Sequence, residues 1–136
     1  MLDRTTRRGA LKCLGVGAGT LFTLSGGVFG AIDLADAATR RITATPLFLQ
    51  ISDTHIGFNK DANPDVAGTL RQSIALVNAL PQAPAFIVHT GDITHLSKAA
   101  EFDMAAQLLS GLKVSEIHTV PGEHDVADAT DRKSVV

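Results

Sequence analysis

Apolar residues alternate between two spacings from residue 47 onward. Residues 47–51 form an apolar run of strand length, and residues 64–80 then carry apolar side chains at helical spacing, with Asn63 as the predicted helix cap. The same order repeats, with an apolar strand at 85–90, a helix that opens at Ser97, and a third strand at 116–120. Strand, helix, strand, helix, strand with short links predicts right-handed βαβ units in a parallel sheet.

Polar, ionisable residues follow each of the three predicted strands. Parallel strands end on the same edge of a sheet, where open α/β folds bind ligands, so we expect these residues to meet in one crevice. A turn with Pro and Gly also collects polar residues simply because it is solvated, and that interpretation stays open for the third cluster. The three clusters are Asp53-Thr54-His55, Gly91-Asp92 and Gly122-Glu123-His124-Asp125.

The side-chain types in these clusters indicate metal chemistry. Carboxylates and imidazoles without thiolates suit ions of the Zn, Mn or Fe class, and two adjacent ions can hold a phosphoryl group during displacement. Strand alternation would put Asp53 and His55 on one side, so that both reach one ion. Asp92 is placed to bridge two ions, because Gly91 lets the backbone approach closely. Glu123 could hold the second ion, and His124 could give a proton to a leaving oxygen or stabilise the charge of the phosphoryl group.

These clusters resemble the first three sequence blocks of the calcineurin-like metallophosphoesterases. DTH at 53–55, GD at 91–92 and GEHD at 122–125 correspond to D-x-H, G-D-x-x and G-N-H-D/E, and the resemblance covers residues 47–128. It implies an α/β fold, a β-sandwich flanked by helices, of which only the first βαβαβ portion is present. It also implies a dinuclear metal centre and hydrolysis of a phosphate ester by a metal-bound hydroxide.

The resemblance also implies a role for each matching residue. Asp53 and His55 would bind the first metal, Asp92 would bridge, Glu123 would bind the second metal, and His124 would assist the leaving group. The family usually has Asn where this chain has Glu123. A carboxylate there should tighten metal binding and weaken the Lewis acidity of the second ion.

The first 37 residues have the three parts of an export signal. Arg7 and Arg8 precede a glycine-rich apolar run at 13–32, and small residues follow that fit cleavage after Ala37. Paired arginines ahead of such a run predict the twin-arginine export machinery as a partner. The glycines lower the apolarity of the run, so we expect no permanent membrane anchor. From the export signal we expect an exported bacterial protein, either periplasmic or extracellular.

The chain thus divides into four predicted segments. They are a twin-arginine-type signal peptide at 1–37, a linker at 38–46, the N-terminal part of a metallophosphoesterase domain at 47–130, and a tail at 131–136. The tail matches one reading frame of a common sequencing adapter, and we interpret it as non-native. The later blocks of the family, a histidine ligand and G-H-x-H, have no counterpart, so we expect the natural gene to continue.

Composition excludes two kinds of site. Cleavage after Ala37 would remove Cys13, the only cysteine, and leave neither a disulfide nor a thiolate ligand. The chain has 12 basic and 14 acidic residues, with a net charge of −2, which gives no nucleic-acid-binding footprint.

The other histidines have weaker claims to chemistry. His89 and His118 lie inside predicted strands, where a structural histidine is more common than a ligand. His95 follows Asp92 and could line the mouth of the substrate site. The remaining acids are most simply solvated helix or loop residues; they are Asp61, Asp65, Glu101, Asp103 and Glu116.

Three functional classes remain open. The first is an exported phosphoesterase with two divalent or trivalent metal ions, acting on a phosphate mono- or diester. The second is a catalytically inactive binding or scaffold protein with the same fold, which Glu123 alone suggests. The third is a metal-free sugar- or nucleotide-binding α/β module, which would leave the convergence of carboxylates and histidines unexplained.

Overall fold

Five strands form one mixed sheet in the computed structural model, which describes residues 19–39 and 45–126. The predicted α/β class is confirmed. In chain order the elements are β1 (Gly19–Ser25), β2 (Val28–Asp33), α1 (Leu34–Thr39), β3 (Thr45–Ile51), α2 (Val66–Asn78), β4 (Phe86–His89), α3 (Ala99–Leu109), β5 (Ile117–Thr119) and a 3-10 turn, Glu123–Asp125.

The three C-terminal strands form the predicted parallel βαβαβ unit. The sheet order is β2-β1-β3-β4-β5, and β3, β4 and β5 pair in parallel, with α2 and α3 as the crossovers. Ile51 lies opposite His89, and His89 lies opposite Thr119, so the three strands end almost level with one another. This register brings the three polar clusters to a single edge.

Helix α2 begins two residues later than the sequence predicted. Asp65 caps it, because its Oδ1 accepts a hydrogen bond of 2.8 Å from the Gly68 N–H. An acceptor at this position satisfies one of the free donors of the first turn. The side chain of Asn63 instead accepts a bond from the Thr69 hydroxyl.

An antiparallel hairpin extends the sheet beyond β3. Strand β1 pairs with β2 on one side and with β3 on the other. No strand was predicted here, because the composition of this segment is typical of an export signal. The signal peptide stays a prediction, and Arg7, Arg8, the tail at 131–136 and most of the predicted linker lie outside the described residues.

The predicted cleavage point, after Ala37, falls within helix α1. Leu34 and Ala37 pack into the core beneath the sheet, together with Leu21 of β1. Among the described residues, no helix is long and apolar enough to cross a membrane.

One face of the sheet is covered by the helices. Leu21, Leu49 and Ile87 point into this layer and are fully buried. They pack with Val77 of α2 into one core cluster, which Leu109 of α3 flanks. A second cluster lies between α2, α3 and the loop after β3, and it contains Ile56, Leu70, Ile74 and Ala105.

The opposite face carries a row of phenylalanine rings that crosses four strands. Phe29 stacks on Phe22, Phe22 on Phe48 and Phe48 on Phe86, with ring centroids 5.6, 4.4 and 5.3 Å apart. Phe29 is 59% exposed. Stacked aromatic pairs on a sheet stabilise it, but such an exposed row also favours association with other apolar surfaces.

We expect residues 38–136, made without the hairpin, to aggregate or to be partly unfolded and to show no phosphatase activity. Removal of β1 exposes the whole hydrogen-bonding edge of β3 and takes Phe22 away from Phe48. The measurement is size-exclusion chromatography with thermal unfolding, beside residues 19–136 as the matched control. A cooperative transition of 38–136 together with metal-dependent turnover would contradict this expectation.

Candidate metal centre

The loops after β3 and β4 run side by side at the edge where the strands end. The Asp53 and His55 N–H groups donate to the carbonyls of Gly91 and Asp92, at 3.0 and 2.9 Å. A Cβ atom at Gly91 would lie 2.7 Å from the backbone nitrogen of Gly122, and Gly91 has φ +112°. Only glycine fits these two requirements without strain, so the close backbone approach expected at Gly91 is confirmed.

Asp53, His55 and Asp92 form the first candidate ligand group. Their ligand atoms lie within 4.8 Å of one another. The Nε2 of His55 is 3.7 Å from Asp53 Oδ1 and 3.9 Å from Asp92 Oδ2. These residues therefore converge as the chemistry requires.

The backbone that brings these side chains together is not an extended strand. Asp53, His55 and Asp92 have φ of 56°, 41° and 52°, in the left-handed region. The argument from strand alternation is therefore wrong, because two left-handed turns, not a period of two, aim Asp53 and His55 at one point. Strained backbone of this kind concentrates at functional sites, where the surrounding structure holds it.

Asp92, Glu123 and His124 form a second candidate group, again with ligand atoms within 4.8 Å of one another. The His124 backbone N–H donates to Asp92 Oδ1 at 2.9 Å, which ties the loop after β5 to Asp92. Glu123 Oε1 lies 3.9 Å from His124 Nε2, and the Glu123 side chain is 88% exposed. Asp92 thus belongs to both groups, and Glu123 is free to turn towards it.

The imidazole of His124 is held in one orientation by the loop after β4. Its Nδ1 donates to the His95 carbonyl at 2.8 Å, so Nε2 is the nitrogen that faces Asp92 and Glu123. This hydrogen bond to the His95 carbonyl raises the pKa of His124 above its ordinary value, and its effect exceeds the opposing effect of burial. The neighbouring carboxylates raise the pKa further.

His95 itself lies within the cluster. Its ring stacks on His124 with centroids 5.4 Å apart and meets His55 edge-on at 5.9 Å. These three histidines form a third group that could hold a metal ion. The Nδ1 atoms of His55 and His95 are buried and, within the described part of the chain, have no hydrogen-bond partner. His95 also lines a cavity of about 380 Å³ beside the cluster.

His89 is a fully buried structural histidine, as the sequence predicted. The Gly91 N–H donates to its Nδ1 at 3.2 Å, so the ring proton is on Nε2, which donates to the Thr54 hydroxyl at 3.0 Å. Thr54 in turn donates to the Ile93 carbonyl. The ring therefore holds the loop of Asp53 and His55 against the end of β4. Burial lowers the pKa of His89, although nearby carboxylates oppose the shift.

The free energy of unfolding should rise with pH as His89 loses its proton. Because the folded-state pKa of His89 lies below the ordinary 6.5, the unfolded chain binds more protons between those two values. The stabilisation is complete above about pH 6.5 and is lost as the pH falls towards the folded-state pKa. We expect His89→Gln to flatten the rise that the complete protein shows as the pH approaches about 6.5 from below, measured by urea denaturation.

The matched control for this measurement is His118→Gln. His118 is exposed and donates to Glu116, on the open face of the sheet. Equal pH slopes for the two variants would contradict the role given to His89.

Asp125 belongs to the third polar cluster, but the sequence did not predict its role. Its carboxylate is buried and accepts hydrogen bonds from the N–H groups of Ile93, Thr94 and Gly122, at 3.0, 2.8 and 2.9 Å. Burial acts to raise the pKa of Asp125, but these hydrogen bonds outweigh it and keep the pKa below the ordinary value. Asp125 thus fixes the loop of His124 against the loop of Asp92.

Glu101 was expected to be solvated, and this expectation is wrong. It is 8% exposed, and its Oε2 accepts the Leu96 N–H at 2.8 Å, closing the loop that carries His95. Its carboxylate also lies against Gly57, where a Cβ atom would collide with it. The other acids expected to be solvated are exposed; they are Asp61, Asp65, Asp103 and Glu116.

The donor set fits metal ions of the predicted class. Carboxylate oxygens and imidazole nitrogens converge, and this thiol-free set suits Zn, Mn or Fe ions. The assignment of Asp53, His55, Asp92 and Glu123 as ligands, and of His124 as the catalytic residue, remains a prediction.

Two comparisons with known proteins bear on this site. The family model described as calcineurin-like phosphoesterase matches residues 46–134, which include all three polar clusters. The chain is also similar to a protein of Arcobacter nitrofigilis named "Probable glycerophosphodiester phosphodiesterase GpdQ". They are 30% identical over 93 residues, which are 64% of this chain and 33% of that protein. The chain therefore spans about a third of the length of this curated relative.

Proposed function

The chain belongs to the calcineurin-like phosphoesterase family, and we propose that it is part of an exported, metal-dependent enzyme that hydrolyses phosphate mono- or diesters at a dinuclear metal centre. The chain spans about a third of its relative, so the activity is proposed for the complete protein. The name of that relative supports a phosphodiester among the substrates.

The position of Asp92 is the observation that carries this proposal. Its carboxylate is common to the group with Asp53 and His55 and to the group with Glu123 and His124. A carboxylate shared by two adjacent ligand groups is the arrangement that a pair of bridged ions needs. Asp53 and His55 would hold one ion, Glu123 would hold the other, and Asp92 would contact both.

At such a centre the protein's own residues would hold the ligand-bearing loops in place and supply the proton for the leaving group. Ions bound there supply Lewis acidity that polarises a phosphoryl oxygen and lowers the pKa of water. Asp125 and His89 hold the ligand-bearing loops in place through their hydrogen bonds. His124 would hold a proton at Nε2 and give it to the leaving oxygen, because its Nδ1 is fixed on the His95 carbonyl.

The proposal is tested on the complete protein by metal stoichiometry and turnover together. Elemental analysis should give two ions per chain, and aryl phosphate mono- or diesters should be hydrolysed only when the ions are present. Two ions without hydrolysis of either ester would favour the inactive scaffold, for which Glu123 in place of Asn is the one hint. Absence of bound ions would contradict the dinuclear centre itself.

Export is proposed from the N-terminal pattern and is tested separately. Arg7→Lys together with Arg8→Lys should leave the precursor in the cytoplasm, because the twin-arginine machinery depends on the arginine pair. The measurement is the distribution of the protein between cytoplasm and periplasm. The chain offers a matched control, the second pair Arg40 and Arg41, changed to Lys in the same way. Unchanged export of the Arg7 and Arg8 variant would refute the assignment.

A further inference from the structure

A cavity of about 380 Å³ opens beside the candidate metal centre, between the loop after β3 and helix α2. Asp53, His55 and His124 line it where it meets the centre. Its volume lies within the range of small-molecule sites. A phosphoryl group at the centre would therefore have its organic part next to this space.

The far wall of the cavity is apolar. Phe58, Val66 and Leu70 line it, and the ring of Phe58 meets His95 edge-on with centroids 5.2 Å apart. Val66 and Leu70 are buried in the second core cluster, so this wall is held by packing. Such a surface binds a ring or an alkyl group by removing it from water.

Two hydroxyl groups of the cavity, on Thr69 and Ser73, act as acceptors. The Thr69 hydroxyl is within hydrogen-bond distance of Asn63 Oδ1 and the Asp65 carbonyl, and the Ser73 hydroxyl donates to the Thr69 carbonyl. Each hydroxyl therefore uses its one proton on a protein oxygen and presents only an acceptor to a ligand. Among the described residues, no Lys or Arg lines the cavity. This part of the lining suits a neutral group that donates hydrogen bonds and disfavours an anion.

We propose that this cavity binds the organic part of the phosphate ester and selects an uncharged alcohol with an apolar body. The proposal rests on the proposed function, because it places the phosphoryl group at the metal centre. Esters whose organic part carries a second anionic group would be poor substrates, since the end of the cavity away from the metal centre presents the Thr69 and Ser73 hydroxyl acceptors and, among the described residues, no Lys or Arg.

The test measures binding to the complete, metal-loaded protein by calorimetry, with phosphonates that cannot be hydrolysed. Phenylphosphonate should bind about tenfold or more tightly than methylphosphonate, because its ring buries roughly 100 Å² of apolar surface in the cavity. A carboxylate on the ring, in 4-carboxyphenylphosphonate, should abolish this advantage.

Variants of the wall show whether the advantage comes from this cavity. Val66→Phe should fill the cavity. Phe58→Ala removes part of the apolar wall without adding volume, and it serves as the second variant if Val66→Phe does not fold. Both should reduce the preference for phenylphosphonate, while Phe102→Ala, a surface change on α3, should not. Equal binding of phenyl- and methylphosphonate, or a preference that Phe58→Ala leaves unchanged, would overturn the cavity proposal and leave the proposed function standing. Binding of neither phosphonate would overturn both.

Discussion

Asp92→Asn should remove both metal ions and lower turnover by about 10³-fold or more. Asp92 is the carboxylate shared by the two candidate ligand groups, so its loss affects both sites at once. Asn keeps the shape, tolerates the left-handed φ of 52° and still offers one oxygen to the His124 N–H. The fold should therefore survive while the bridging charge is lost.

The measurement is elemental analysis beside turnover of an aryl phosphate ester, with circular dichroism as the check of folding. Asp103→Asn is the matched control, since Asp103 is an exposed acid on α3 outside the three ligand groups. An Asp92→Asn protein that retains two ions would mean that Asp92 does not bridge. The bridging role proposed for Asp92 would then have to be abandoned.

The parallel unit and its polar edge could be predicted from the sequence because each depends on local pattern and chain topology. Apolar runs at 47–51 and 85–90 predict strands, and the helical spacing between them predicts the crossover. Once the strands are parallel, the residues that follow them share one edge. Asp53, Asp92 and Glu123 were brought together by this reasoning without any knowledge of distances.

The hairpin was missed because its sequence suits two structures. Residues 19–33 are apolar and rich in glycine, which is typical of an export signal, yet alternate residues of β1 are buried in the sheet. Gly26 and Gly27, with φ of 57° and 80°, make the tight turn between the strands. Local composition cannot decide between these outcomes, because pairing with β3 is a contact distant in sequence.

The burial of Asp125 and Glu101 was not predicted, for a related reason. An acid in a turn or in the first turn of a helix is usually solvated. Glu101 has local donors, the Leu96 and Lys98 N–H groups, but it also packs against Gly57, which is distant in sequence. The donors that satisfy Asp125 include Ile93 and Thr94, on a loop 31 or more residues away. Buried carboxylates with several N–H donors are stable anions, but the sequence does not show which donors will arrive.

His124→Asn should leave metal content nearly intact and lower turnover roughly 10²–10⁴-fold, the usual scale for loss of a general acid. The His124 ring is fixed by its Nδ1 on the His95 carbonyl and points Nε2 at the centre. Asn can still donate to that carbonyl, so the loop should keep its place. It has no proton to give to a leaving oxygen, which is why the rate should fall.

The alanine variant of Glu123 should lose metal as well as rate, which distinguishes a metal ligand from a general acid such as His124. Glu123→Ala should lose one ion and the rate together, whereas Glu123→Asn should weaken one site and keep or raise turnover at saturating metal, because a neutral ligand leaves the ion a stronger Lewis acid. Glu116→Ala is the control, because Glu116 directly precedes β5 and the candidate centre lies after the opposite end of that strand. Two ions in Glu123→Ala would make Glu123 a solvated turn residue. Loss of ions in His124→Asn would instead make His124 a metal ligand, because His124 Nε2 already lies 3.9 Å from the Glu123 carboxylate.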